Sequence, residues 1–342
     1  MKPLWLIIFC LLFCASPFRS FSQRGDFWAI NFDKADSIAK QYDGWSVQKP
    51  DVLAELLVKD LPTDVEKFRA IFRWITNNIT YDARLMREWE KKESQLKHKK
   101  KRLEKWRTTF HKKLWNGAIR KKSTICSGYA ALLESMSNHV GIQCISLSGT
   151  ARTSKDVIGK DRIDHAWNAV YLNDRWYLCD ATWAAGELYP WSDKFHTNYR
   201  DIYFLTDPDL FVANHYPEDP SWILTYNRPS LKDFLNGPIK DEGFIKLKIN
   251  TYSPTAGWLK VRGDSVLTVK FTSNYLKELK TATVVYYEPH RVEVMHPLER
   301  DASGNYYFTH IFKTNGHRRV FIYLDKDLTL IYDVNVRKAV RA

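Results

Sequence analysis

Cys126, His165 and Asp180 are the side chains in this sequence whose types and settings could perform nucleophilic chemistry. Cys126 opens the run Cys126-Ser127-Gly128-Tyr129-Ala130. It falls in the first turn of an expected helix, where the dipole and unpaired N–H groups stabilise a thiolate. Ser127 and Gly128 are small and are read as keeping the approach to the sulfur uncrowded. His165 begins His165-Ala166-Trp167-Asn168, and Asp180 begins Asp180-Ala181-Thr182-Trp183. A thiolate that attacks a carbonyl, an imidazole that shuttles the proton and a carboxylate that fixes its tautomer form a nucleophilic triad. The Cys126 N–H would be one oxyanion donor; the sequence does not name the second. Spacing alone is a weak signal, because a core cysteine, a strand-edge histidine and a turn aspartate would look the same.

The elements that must position these residues can be read from pattern. Thr63-Asp64-Val65-Glu66 is a capping box, and Val65, Phe68, Ile71, Phe72, Ile75 and Ile79 follow on one helical face as far as Tyr81-Asp82. Ser123-Thr124 can cap a second helix, carrying Ala130, Leu133, Met136 and Val140 and ending at Gly141. Residues 142–151 alternate like a strand, and 153–164 are polar and loop-like. Two further strands, His165 to Leu172 and Arg175 to Trp183, are joined by Asn173-Asp174, which suits a two-residue hairpin turn. That turn makes Trp167 face Asp180. His165 is then a diagonal neighbour of Asp180 on the same sheet face, about 7–8 Å away between backbones. A three-residue turn would shift the register and separate them.

These motifs, in this order, resemble the transglutaminase-like superfamily. The resemblance rests on Cys126 to Ala130, on His165 to Asn168, and on Trp176-Tyr177-Leu178-Cys179-Asp180-Ala181-Thr182-Trp183. Downstream, Tyr203 to Pro208 and His215 to Trp222 resemble the tail of its kyphoscoliosis-peptidase-like branch. The likeness covers roughly residues 60–235. It implies an α+β, papain-like core and carries Cys126, His165 and Asp180 over as catalytic residues. Within that superfamily, water resolving a thioester gives a peptidase or amidase, and a lysine amine gives a crosslinking transamidase. Some members have lost catalysis and act as adaptors, but here all three triad positions are filled, which argues against that role. No calcium-loop pattern is visible, and no cofactor or metal is expected.

The chain has 342 residues, 44% hydrophobic and 27% charged, with 14% aromatic including 13 Trp. That composition excludes wholesale disorder and fibrous repeats, and the length suits two domains. Residues 1–22 follow a signal-peptide layout: Met1-Lys2, an apolar run from Leu4 to Ala15, then Pro17, Ser20 and Ser22. The run is too short to span a bilayer at roughly 1.5 Å per residue. Export to a periplasmic, cell-surface or extracellular site is therefore expected. Cys126, Cys144 and Cys179 remain in the mature chain, and with three at least one stays a thiol. Cys144 and Cys179 sit in apolar runs and read as buried strand residues.

Charge is concentrated. Arg84 to Lys122 holds 16 Lys/Arg against 4 Glu, a net +12 out of the chain's +13. Lys2 and Arg19 add two, so the remainder sums to −1. Leu85, Trp89, Leu96, Leu103, Trp106, Phe110 and Leu114 recur at helical spacing through the segment. One reading is a helical hairpin inserted at residues 84–122, docked by its stripe and solvated by its lysines. The other is a patch for an anionic surface polymer; nucleic acid is not an expected partner of an exported chain.

Beyond Gly237-Pro238, short alternating segments (245–249, 266–271, 283–287, 306–312 and 320–324) are punctuated by turn signals. They indicate an all-β, immunoglobulin-like sandwich over 239–342, read as a wall of the cleft or as a binding module. The catalytic domain is expected over 23–238. The function expected is an exported thiol enzyme acting on amide bonds of a protein or peptide substrate, hydrolytic in preference to transamidating. A non-catalytic surface-binding protein is the contrasting reading.

Overall fold

The computed structural model describes residues 23–189, 193–226, 228–262 and 266–337. The signal peptide expected over 1–22 lies outside them. Three helices come first: α1 Asp33–Gln41, α2 Pro50–Val58 and α3 Asp64–Asn78. Thr63 caps α3, accepting from the Glu66 amide, so the capping box forms as expected. Phe68, Ile71, Phe72 and Ile75 on α3 are fully buried. Arg69 is buried among them because it pairs with Asp36 on α1 and with Asp201, which tie α1 and a later segment to α3.

Helix α3 ends before a two-residue strand, β1 Thr80–Tyr81, which pairs in parallel with β2 Ser123–Thr124. This pairing closes the base of a helical hairpin, α4 Ala83–Leu96 and α5 Lys100–Asn116. Asp82 caps α4 by accepting from the Arg84 and Leu85 amides. The expected stripe lies inside the hairpin: Phe110 and Leu114 are buried with Ile125, and Leu85, Trp89 and Trp106 pack on them. Ser123-Thr124 is therefore a strand, and not the expected helix cap. After it runs α6 Cys126–His139, closed at Gly141 with φ 82°.

The central sheet has the order β5-β4-β3-β8, antiparallel throughout. Its members are β3 Cys144–Ala151, β4 His165–Leu172, β5 Arg175–Cys179 and β8 His215–Pro217. The strand expected to run on to Trp183 stops at Cys179, because Asp180 caps a short helix, α7 Ala181–Ala185. Between α7 and β8 lie β6 Gly186–Leu188, β7 Phe195–Thr197 and α8 Pro208–Phe211.

Helix α9 Leu231–Asn236, strand β9 Ile239–Lys240 and helix α10 Glu242–Lys246 lead into the last section. The strand expected at 245–249 is thus mostly the end of α10 and a turn. One sheet has the order β10-β12-β16-β15 (Ile249–Ser253, Val266–Ser273, Tyr306–Ile311, Glu299–Arg300). The other is β11-β18-β17-β13-β14 (Trp258–Arg262, Asp327–Arg337, Gly316–Leu324, Thr281–Glu288, His290–Pro297), with β9 beside β18. Their pairings are antiparallel except β11 with β18. Leu267, Val269, Phe271 and Phe308 from the first sheet share a core with Val284, Val320, Ile322 and Tyr332 from the second. The Gly237-Pro238 region is held against the central sheet, because the buried Arg152 guanidinium donates to the Gly237 and Phe234 carbonyls.

Strand β8 approaches β3 at Gly149. A Cβ there would stand 2.2 Å from the Tyr216 carbonyl oxygen and 2.4 Å from the Trp167 ring. Backbone on one side and a buried indole on the other leave nothing flexible to yield. Gly149→Ala is expected to lower unfolding free energy by about 1–3 kcal/mol, measured by urea denaturation. An unchanged midpoint would show that β8 is not packed this closely.

Candidate active site

Cys126 is the first residue of α6, and Ile125 precedes it as an N-cap with no side-chain hydrogen bond. Helix geometry leaves the opening amides without intrahelical acceptors. The thiol is 4% exposed. Gly128 has a packing role: a Cβ on it would stand 2.0 Å from Thr124 Oγ1, whose hydroxyl is committed to the Leu114 carbonyl. The glycine lets the first turn of α6 sit on β2.

The β4–β5 register is the one the two-residue turn dictates. Asn173 and Asp174 have φ of 46° and 61°, and Asn168 pairs with Cys179. Asp180 therefore arrives next to His165, and His165 Nε2 lies 2.7 Å from Asp180 Oδ2. The other carboxylate oxygen, Oδ1, accepts from the Thr182 and Trp183 amides at 2.8 and 3.0 Å. With Nε2 committed to Asp180, Nδ1 is the imidazole nitrogen left for the thiol. Burial alone would strip the His165 proton, but the Asp180 charge and hydrogen bond, then the Cys126 sulfur, outweigh it and push its pKa up to about 10. Burial would likewise raise Asp180, yet His165 and His215 hold it well below the usual carboxylate range. The electrostatics favour a protonated imidazole beside an ionised carboxylate.

Two neighbours were not assigned from sequence. His215 is fully buried, with Nε2 3.1 Å from the same Asp180 Oδ2 and Nδ1 2.6 Å from Asn214 Oδ1. Burial lowers its pKa to about 4, against the pull of Asp180. It was visible in the sequence only as part of the His215-to-Trp222 tail, and no local spacing links a residue at 215 to one at 180. Tyr81 is the second. Its phenol is raised by burial and then by the Cys126 sulfur, so it stays protonated beside the thiol. Donor atoms of His165, Asp180 and His215 lie within 4.8 Å of one another; two hydrogen bonds converging on one oxygen account for that closeness.

A cavity of about 720 Å³ opens at this point. Its walls come from the loop between β3 and β4, from Met86 and Glu90 of α4, from Thr182 and Trp183 of α7, and from Arg200 and Tyr203. His165, Asp164 and Tyr81, which surround the sulfur, are on its surface. Cys126 lies just behind them, its Sγ 4.0 Å from the Asp164 carbonyl oxygen. Cys144 and Cys179 are free thiols buried elsewhere in the sheet, and burial raises both.

Residues 52–181, which contain Cys126, His165 and Asp180, match the profile described as the Transglutaminase-like superfamily. Kyphoscoliosis peptidase of Homo sapiens is 32% identical over 245 residues, covering 70% of this chain and 34% of that protein. Hillarin of Drosophila melanogaster is 26% identical over 235 residues, covering 64% of this chain and 26% of that protein. The chain thus spans 34% and 26% of these relatives' length. A solved structure described as a TGase aligns with 52% of this chain and 38% of its own at 16% identity, with a TM-score of 0.28.

The folded His165 binds its proton more tightly than an unfolded histidine, whose pKa is about 6.5. Its contribution to stability is therefore complete below about 6.5 and is lost as pH rises through about 10. Histidine 15N NMR should find His165 protonated at pH 8, and Asp180→Asn should drop its pKa by more than one pH unit. An unchanged titration in Asp180→Asn would remove the carboxylate from its assigned role.

Proposed function

This chain belongs to the transglutaminase-like superfamily, in its kyphoscoliosis-peptidase-like branch, and from that premise we propose that it is an exported thiol enzyme hydrolysing peptide or amide bonds. The observation that carries the reading is the 2.7 Å contact between His165 Nε2 and Asp180 Oδ2, with Cys126 at the start of α6 beside the same imidazole. The Cys126 thiolate attacks the amide carbon and forms a carbon–sulfur bond. Charge develops on the carbonyl oxygen, facing the Cys126 amide. His165 gives its proton to the leaving amine, the carbon–nitrogen bond breaks, and a thioester remains. Water, deprotonated by His165, then attacks the thioester; the carbon–sulfur bond breaks, the acid is released, and the thiolate–imidazolium pair is restored. If a lysine amine enters in place of water, the product is a crosslink. Crosslinking is the second reading, and it differs only in the acceptor.

In this proposal residues 23–238 are the catalytic domain and 84–122 are a basic helical insertion. Residues 239–342 are an immunoglobulin-like sandwich, a reading supported by two sheets sharing one core. Export rests on the layout of 1–22, and no helix among the described residues is long and apolar enough to cross a membrane. The Lys97-to-Arg102 tip of the hairpin is exposed and strongly cationic. We assign it to contact with an anionic surface polymer.

Iodoacetamide should label Cys126 at least tenfold faster than Cys144 or Cys179, read by peptide mass spectrometry; equal rates would count against the enzyme. Incubation with casein, with and without a fluorescent amine, should give cleavage that Cys126→Ala abolishes. Amine incorporation would move the assignment to crosslinking, and inertness of a rapidly labelled protein would refute amide hydrolysis of this substrate class. Retention on a heparin column should fall with salt and be lost when Lys97, Lys99, Lys100, Lys101 and Arg102 are changed to Gln. Retention that survives those changes would rule out the patch.

A further inference from the structure

We propose that His215 is a positioning residue of this site: its neutral imidazole donates Nε2–H to Asp180 Oδ2 and so fixes the carboxylate that orients His165. The proposal rests on reading Cys126, His165 and Asp180 as a triad, and adds a fourth member to it. A carboxylate offers about four acceptor sites, and here each has a donor within reach. The Thr182 and Trp183 amides take Oδ1, at 2.8 and 3.0 Å. His165 and His215 take Oδ2, at 2.7 and 3.1 Å. Three of these donors come with the β4–β5–α7 stretch. His215 comes from β8, on the far side of β3, so it couples the position of the carboxylate to the edge of the sheet.

The surroundings of His215 suit a neutral donor. Its ring stacks on Phe211 at 4.1 Å and lies 4.4 Å from Trp183 and 5.2 Å from Trp167 between centroids. A second imidazolium in that dry aromatic box, 5.5 Å from the charged His165 ring, would be repelled and unsolvated. Asn214 Oδ1 faces Nδ1 at 2.6 Å; the neutral Nε2–H tautomer requires that amide to turn over by a half-turn, so that its NH₂ donates to Nδ1. The other titratable groups facing Asp180 are the Tyr129 phenol from α6, the Tyr203 phenol from the turn at Asp201–Tyr203, and the Cys179 thiol from β5. Burial holds all three in their neutral forms, so they add no competing charge.

Loss of the His215 donor leaves one lone pair of a buried carboxylate empty. Asp180 then holds its negative charge less well, and His165 is a weaker imidazolium beside Cys126. The measurement is the rate of Cys126 alkylation by iodoacetamide against pH in wild type, His215→Phe and His215→Gln. Phenylalanine keeps the aromatic packing without a donor; glutamine places an amide N–H near the Nε2 position. His215→Phe is expected to label about ten to a hundredfold more slowly near neutral pH, with its acid limb moved up by about one unit or more. His215→Gln should recover most of the loss.

If His215→Phe unfolds as cooperatively as wild type yet labels at the wild-type rate with the same acid limb, His215 is core packing only. Wild-type 15N NMR provides a readout that needs no variant: His215 should be the neutral Nε2–H tautomer between pH 5 and 9. The Nδ1–H tautomer, donating toward Asn214 Oδ1 or the Phe211 carbonyl, would face a bare nitrogen to the carboxylate and overturn the proposal. Should wild-type Cys126 label no faster than Cys144 and Cys179, the triad itself fails, a result separable from failure of His215 alone.

Discussion

The ionised Asp180 carboxylate, fully buried, sets the terms for everything around it. An ion in a dry interior loses several kcal/mol of hydration even after the protein relaxes (an effective penalty of roughly that size), so it persists only where donors replace water. Two of those donors are backbone amides of the helix that Asp180 itself caps, which cost no side-chain ordering. His165, and in our proposal His215, supply the other two from separate strands. Satisfying one side chain therefore fixes the turn at Asn173-Asp174, the start of α7, and the docking of β8 on β3. The thiol chemistry proposed here is a consequence of where that carboxylate has to sit.

Much of this was legible from local sequence. The Asn173-Asp174 turn fixed the strand register, and register fixed which face His165 and Asp180 share. The capping box at Thr63 and the apolar stripe of the hairpin were legible for the same reason: neighbours on one element are set by a short period in the sequence. Boundaries were less so. Asp180 reads equally as a strand residue or a helix cap, and only the donors at 182 and 183 decide it. Ser123-Thr124 looks like a cap, but its backbone pairs with β1, a partner some forty residues earlier in the chain.

What could not be read is what the topology brings from a distance. His215 reaches Asp180 because β8 adds to the edge of β3 next to Gly149, and no periodicity spans that interval. The close approach of Gly128 to Thr124 was also out of reach of the sequence pattern. Several late strands, including Trp258–Arg262 and Asp327–Arg337, also escaped pattern reading, though the five expected segments located the β region correctly apart from the first. The His165–Asp180 contact is the one the hairpin register required; the catalytic role of Cys126, His165 and Asp180 is the proposal that this geometry supports.

The three cysteines make the same point from inside the fold. Cys126, Cys144 and Cys179 are 4%, 1% and 0% exposed, so burial does not distinguish them. The surroundings do. Cys144 and Cys179 lie in the sheet among apolar neighbours that disfavour a thiolate, and each is closest in charge terms to carboxylates or to the other thiol. Cys126 stands at a helix start, beside an imidazole that a buried carboxylate keeps protonated and a phenol that stays neutral. Identical side chains, all three buried, stand in different electrostatic surroundings, and the proposed reaction assigns the nucleophile to the one beside an imidazolium.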